Sequence, residues 1–223
     1  MHTAAQPVLP HHEVIPILDF GGQTAQLISR RVRDAGAFSL LVHPATPAAD
    51  LKKMNPKGLV LSGGPSSVYD AGAPRCDPAI FDLGVPILGI CYGMQLACQM
   101  LGGKVEPGAH REFGRANLAI TDRSDLFAAI PERTAVWMSH GDQVSDAGGL
   151  FQTIASTPTC PTAAVRLNPA KEGGRQFFGV QFHPEVTHTP HGIEIIQNFL
   201  YEVCGCTKSW KMADYAETAA QRI

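Results

Sequence analysis

The sequence predicts an α/β protein, with a central, mostly parallel sheet flanked by helices and a small antiparallel meander. Three observations carry this expectation. Strand-like apolar runs alternate with helical stretches from residue 14 to residue 62, the pattern of βαβ units. Val85-Pro86-Ile87-Leu88 is an apolar run suited to a strand buried on both faces, and a glycine-rich turn and a helix follow it. Past residue 150, three short runs succeed one another without helical stretches between them, as in a meander.

In chain order, residues 1–13 hold no apolar core and read as a disordered leader rather than a signal peptide. Val14 to Asp19 is the first strand, Phe20-Gly21-Gly22 a turn, and Gln23 to Ala35 a helix with Ile28, Val32 and Ala35 on one face. The glycine pair is no phosphate loop, because neither GxGxxG nor a following Lys-Ser/Thr is present. Phe38 to His43 is a second strand, Ala48 to Met54 a short helix, and Gly58 to Ser62 a third strand that runs into Gly63-Gly64-Pro65. After the strand at 85–88, Met94 to Leu101 is a helix stopped by Gly102-Gly103. Ala116 to Ile120 and Ala135 to Met138 are short strands around a helical turn near Leu126, and Ser139-His140-Gly141-Asp142 falls on the loop after the second. Phe151 to Ser156, Ala163 to Asn168 and Phe177 to Gln181 form the meander. Gly192 to Cys204 is an amphipathic helix with Ile193, Ile196, Leu200 and Val203 inward. Trp210 to Ile223 carries Ala213, Ala216, Ala220 and Ile223 at helical spacing.

Composition removes several function classes. The 223 residues hold 18 Lys plus Arg against 20 Asp plus Glu, a net charge of -2, so no basic surplus exists for nucleic acid. The six cysteines are scattered through a chain long enough to need no disulfide staples, which suits a reducing cytoplasm. Cys204-Gly205-Cys206 has no matching second pair, so no metal site is expected there. The uncharged stretch between Asp82 and Lys104 contains Pro86, glycines and two glutamines, and reads as a buried strand and helix rather than a membrane span.

Two local patterns carry chemistry. Gly89-Ile90-Cys91-Tyr92-Gly93 has the form of a nucleophile elbow, a sharp strand-to-helix turn in which flanking side chains would crowd the backbone. A helix N-terminus behind Cys91 favours its thiolate. A buried core cysteine between structural glycines is the plainer alternative. His183-Pro184-Glu185 follows a strand, and side chains at i and i+2 of an extended segment project to one side, so Glu185 can orient the imidazole of His183. Alone, that triplet is better read as a solvated histidine beside an exposed glutamate. Ser62-Gly63-Gly64-Pro65 ends a strand of a parallel sheet, where ligand sites gather, and can aim backbone N–H groups at a developing oxyanion.

Together, Gly-Ile-Cys-Tyr-Gly-Met-Gln, Ser-Gly-Gly-Pro, Ser-His-Gly-Asp and Phe-His-Pro-Glu resemble, in this order, the class I (triad) glutamine amidotransferases over residues 14–204. Leu18-Asp19-Phe20-Gly21, Tyr92, Met138 before Ser139, and Glu185-Val186-Thr187-His188-Thr189 make the amidotransferase domain of GMP synthases the nearest likeness. The resemblance implies a flavodoxin-like sheet and hydrolysis of glutamine to glutamate and ammonia through a γ-glutamyl thioester. Cys91 would be the nucleophile, His183 the acid and base, and Glu185 its orienting carboxylate. Backbone N–H groups of Gly64 and Tyr92 would form the oxyanion hole, and Gly63, Gln95, Ser139, His140 and Asp142 would hold the glutamine. His110, His188 and His191 carry no motif role.

In such enzymes the ammonia aminates XMP to GMP on an ATP-pyrophosphatase domain that binds ATP and Mg²⁺. No cofactor or metal is implied for the amidotransferase part. Residues 205–223 read as a linker and the start of that following domain, which the resemblance places on the same polypeptide or on a separate one. It also allows a homodimer of the full-length enzyme. Neither nucleic acid nor membrane is an expected partner, and the expected location is cytoplasmic. The amidotransferase of another synthase and a catalytically silent regulatory domain on this fold remain the alternatives.

Overall fold

The computed structural model describes residues 13–168 and 175–211. Alternate residues of the strands divide between two apolar clusters, so the sheet lies between two layers. From β1 (Val14–Leu18), Ile15 and Ile17 join one cluster and Leu18 the other. Val60 of β3 (Leu59–Leu61) joins the first, and its neighbours Leu59 and Leu61 the second. Leu88 and Ile90 of β4 (Ile87–Ile90) take the first face, Ile87 the second. This is the period-two projection of a strand applied to residues that are all apolar, which is why these strands bury both faces. The first face is covered by α1 (Ala25–Asp34) through Ile28 and Val32, and by α4 (Gly192–Asn198) through Ile195 and Ile196. The second is covered by α2 (Ala48–Lys53) through Leu51 and by α3 (Tyr92–Met100) through Leu96 and Ala97.

Among the described residues, nine strands form one sheet in the order β2-β1-β3-β4-β9-β8-β7-β5-β6. Here β2 is Phe38–Val42, β5 Lys104–Ile120, β6 Arg133–Asp146, β7 Phe151–Ser156, β8 Ala164–Leu167 and β9 Phe177–Val180. β2, β1, β3, β4 and β9 pair in parallel, and every pairing beyond β9 is antiparallel. The α/β class holds, but the sheet is not mostly parallel: its antiparallel strands pair over more residues than its parallel ones, and they continue the same sheet rather than forming a small meander. The expected short strands at 116–120 and 135–138 are pieces of a long β5–β6 hairpin. Pro107, Gly108 and Gly114 interrupt its alternation, and Gly114 sits at φ 115°, so the pattern breaks where the hydrogen-bonded ladder resumes.

Three further expectations need correction. Ser139-His140-Gly141-Asp142 lies inside β6, not on a loop after a strand. It sits opposite an irregularity: Glu112 pairs with His140 and Pro107 with Asp142, so β5 carries surplus residues there. Ile196 and Leu200 are buried as expected, but Ile195 and Phe199 join them, Ile193 stays exposed, and the chain passes into a π-helical turn over Phe199–Val203. Trp210 is not helical: it is buried against Phe38 with ring centroids 4.8 Å apart, and its N–H donates to the Gly36 carbonyl. The remainder of the expected C-terminal helix and nearly all of the expected leader lie outside the described residues. Among the described residues, no helix is long and apolar enough to cross a membrane.

Candidate active site

β4 runs straight into Cys91, whose backbone is held at φ 50° and ψ -108°, and α3 begins at the next residue, earlier than the expected Met94. A non-glycine residue in that region is strained and persists only where its surroundings fix it. Here they do. The Cys91 N–H donates to the Val180 carbonyl at 2.7 Å, and the Cys91 carbonyl accepts from the N–H of Gln95 at 3.1 Å. The flanking glycines are steric requirements: a Cβ on Gly89 would lie 2.8 Å from the Gly93 carbonyl carbon, and one on Gly93 2.3 Å from the Leu61 oxygen. The Cys91 side chain therefore stands at the N-terminus of a helix.

His183 follows β9 and is fixed on both sides, its N–H donating to the Trp137 carbonyl and its own carbonyl accepting from the Thr189 hydroxyl. Its Nδ1 lies 2.8 Å from Glu185 Oε1. The two side chains meet as the i, i+2 spacing suggests, but through a turn at residues 184–185 rather than along an extended segment. Glu185 is wholly buried, and among the described residues its Oε2 has no hydrogen-bond partner. An under-solvated carboxylate of this kind draws strongly on a neighbouring imidazolium. Burial alone would lower the pKa of His183. Hydrogen bonds to Cys91 and Glu185, and the charges of both, overcome that and raise it to about 10. The imidazolium therefore persists through neutral pH beside the sulfur.

A cleft of about 690 Å³ opens over these groups. Gly63, Gly64, Cys91, Gln95, Ser139, His140, Asp142 and His183 line it, joined by Phe113, Trp137 and Val186. Of the residues singled out in the sequence, only Tyr92 and Glu185 stand back. The Tyr92 hydroxyl donates to the Pro74 carbonyl at 2.6 Å and its ring packs on Phe20, so only its backbone N–H, free of an intrahelical acceptor at the first position of α3, is available. The glycine loop comes close: a Cβ on Gly63 would lie 3.2 Å from His183 Cε1, and one on Gly64 2.8 Å from the Phe20 oxygen.

The β6 side of the cleft is built differently. The Asp142 carbonyl accepts from Gln95 Nε2 at 2.7 Å and lies 3.0 Å from His140 Nδ1. His140 Nε2 lies 3.0 Å from Glu112 Oε2, and the Thr157 and Thr159 hydroxyls donate to Glu112 Oε1. Both ring nitrogens of His140 are thus occupied by protein acceptors, and the ring acts on the cleft through the segment it anchors. Glu112 was not evident in the sequence; neither was Gln181, whose amide reaches both Gln95 and the Cys91 sulfur. Among the described residues, Glu112, His140 and Cys160 have ligand atoms within 4.8 Å of one another. Hydrogen bonds already account for that cluster, burial raises the Cys160 thiol to about 12, and a structural zinc would need a fourth ligand.

The glutamine amidotransferase class-I family model matches residues 16–203. Two curated relatives, both named GMP synthase [glutamine-hydrolyzing], come from Bacillus cereus and Bacillus mycoides. They are 50% and 49% identical over 213 residues, 95% of this chain. The chain spans 40% of the length of each. A solved Thermoplasma acidophilum protein, described as one subunit of a GMP synthase, superposes with a TM-score of 0.78 at 29% identity, covering 94% of this chain and 98% of that one. A Thermotoga maritima glutamine amidotransferase shares the fold, with a TM-score of 0.66 at 17% identity over 87% of this chain and 99% of that one.

Proposed function

The chain belongs to the class-I glutamine amidotransferase family, and from that premise we propose that it hydrolyses glutamine to glutamate and ammonia through Cys91, His183 and Glu185. The observation that carries the reading is the meeting, at one cleft, of a strained cysteine at a helix N-terminus with a histidine already bonded to a buried carboxylate. The Cys91 thiolate attacks the side-chain amide carbon of glutamine, and the carbonyl oxygen takes up the charge. Backbone N–H groups of Gly64 and Tyr92 receive that oxyanion; losing one such donor costs about 3 kcal/mol in the transition state. The His183 imidazolium gives its proton to the departing nitrogen, which leaves as ammonia, and a γ-glutamyl thioester remains on Cys91. Neutral His183 then takes a proton from water, hydroxide adds to the thioester, and the thiolate leaves as glutamate forms. Glu185 keeps Nδ1 protonated throughout, so that Nε2 does the transfers.

Gly63, Gln95, Ser139, His140 and Asp142 border the space where the α-amino and α-carboxylate groups of glutamine would lie, His140 through its hold on the backbone. No cofactor or metal enters these steps. The ammonia is proposed to aminate XMP to GMP in a synthetase domain or subunit that binds ATP and Mg²⁺, in the cytoplasm. The names of the relatives and the 40% of their length that this chain spans support that reading. The test is glutamate release from glutamine, alone and with a separately made synthetase, XMP, ATP and Mg²⁺. Release abolished by Cys91→Ala, and GMP formed from glutamine only with intact Cys91 but from added ammonia with either, is the expected result. Release that survives Cys91→Ala would overturn the mechanism, and release without GMP would overturn the acceptor.

A further inference from the structure

Gln181 follows β9, is wholly buried and does not line the cleft, yet its side-chain Nε2 lies 3.5 Å from the Cys91 sulfur. Which end of the amide faces the sulfur is decided by a neighbour. Gln95 Nε2 lies 2.7 Å from the Asp142 carbonyl, an acceptor that cannot change roles, so the NH₂ of Gln95 must face it. The same NH₂ lies 3.1 Å from the oxygen of Gln181. Reversing Gln181 would set two NH₂ groups against each other, and reversing both would press the Gln95 oxygen on the Asp142 carbonyl. Gln181 is therefore held with its oxygen toward Gln95 and an N–H toward the sulfur. The Ser139 carbonyl, 3.7 Å from the sulfur, can accept from a thiol but offers nothing to a thiolate.

We propose that Gln181 is a second donor to the reacting sulfur: beside His183, its locked N–H favours the Cys91 thiolate over the thiol and fixes its position. The proposal rests on Cys91 being the nucleophile. It also couples the sulfur to the β6 side of the cleft, because the Gln181 amide is oriented through Gln95 by the Asp142 carbonyl.

Iodoacetamide alkylation reads the thiolate without turnover: the carbon–sulfur bond forms as iodide leaves. The protein has six free cysteines, all buried, and a Cys91→Ala control subtracts the other five. A hydrogen bond to a charged group is worth tenfold or somewhat more in equilibrium. With sulfur as acceptor, Gln181→Met is expected to alkylate about tenfold more slowly at neutral pH, with the deficit gone at alkaline pH. Gln181→Glu has nearly the same shape but puts an acceptor on the sulfur, and is expected to be slower still. In both, kcat falls and KM for glutamine holds. In the unsubstituted chain, the Gln181 side-chain amide proton resonances should shift when Cys91 is blocked by methylthiolation, a readout that needs no variant to fold. Wild-type alkylation rates in folded Gln181 variants, or an amide resonance indifferent to Cys91, would overturn the proposal. Failure of the proposed function shows separately, as glutamate release that persists in Cys91→Ala.

Discussion

The parallel and antiparallel halves of the sheet contribute to the cleft by different means. In the parallel half, Gly63-Gly64, Cys91 and His183 lie within three residues of the ends of β3, β4 and β9, at the carboxyl ends of neighbouring strands. Each residue sits at the end of its own strand, and backbone hydrogen bonds to Val180 and Trp137 fix Cys91 and His183 there. In the antiparallel half, residues 139–142 belong to the interior of β6 and reach the cleft where β5 departs from register. That segment is held by partners distant in sequence: Glu112, Gln95 and Trp137's neighbour Thr189, whose hydroxyl accepts from the Trp137 N–H. The proposed chemistry sits where topology fixes position. The proposed binding edge sits where side-chain hydrogen bonds do.

Substitutions can break this division. Cys91→Ala should abolish glutamate release, by about 10⁴-fold or more, with glutamine still bound in a calorimetric titration. Glu185→Gln should lower kcat by about 10²-fold or more, since a correctly oriented acid–base group contributes on that scale. It also has a signature in stability. His183 has its pKa raised from 6.5 to about 10 by hydrogen bonds to Cys91 and Glu185 and by the charges of both, so the stabilisation the imidazolium draws from those two partners is complete below pH 6.5 and is lost as pH rises through about 10. The Glu185 share of it, read as the stability difference between the wild type and Glu185→Gln from denaturant midpoints, should therefore shrink as pH rises from 6.5 to about 10.

Gly93→Ala tests the elbow itself. Its new Cβ would meet backbone, so a loss of about 3 kcal/mol in unfolding free energy is expected, measurable in urea. The smallest effect is expected on the other side. Glu112→Ala removes the acceptor for His140 and both threonines, and should raise KM for glutamine by roughly fivefold to tenfold with kcat little changed. A kcat loss from Glu112→Ala as large as that from Glu185→Gln would erase the distinction between the halves.

The same distinction governs what could be read from the residues. The parallel strands were legible because each is a short, mostly apolar run, and β1, β3 and β4 are followed within a few residues by glycines. Cys91 and its glycines are close neighbours in the chain, as are His183 and Glu185. The long β5–β6 hairpin was hidden by Pro107, Gly108 and Gly114. Placing 139–142 within a strand required knowing that β5 carries surplus residues opposite it. Gln181 reads as one polar residue at the end of an apolar strand; its partner Gln95 lies on α3, and nothing local announces the pairing. Glu112 meets His140 only through strand register. Pairings set by tertiary structure leave no periodicity to find.

The most direct test of the account is acid-quenched turnover followed by peptide mass spectrometry. During steady-state hydrolysis of glutamine, a γ-glutamyl group should be found on the peptide that carries Cys91. It should be removable by hydroxylamine and absent from Cys91→Ser. Undiminished turnover in Cys91→Ser, with no adduct on the wild-type peptide, would contradict the account.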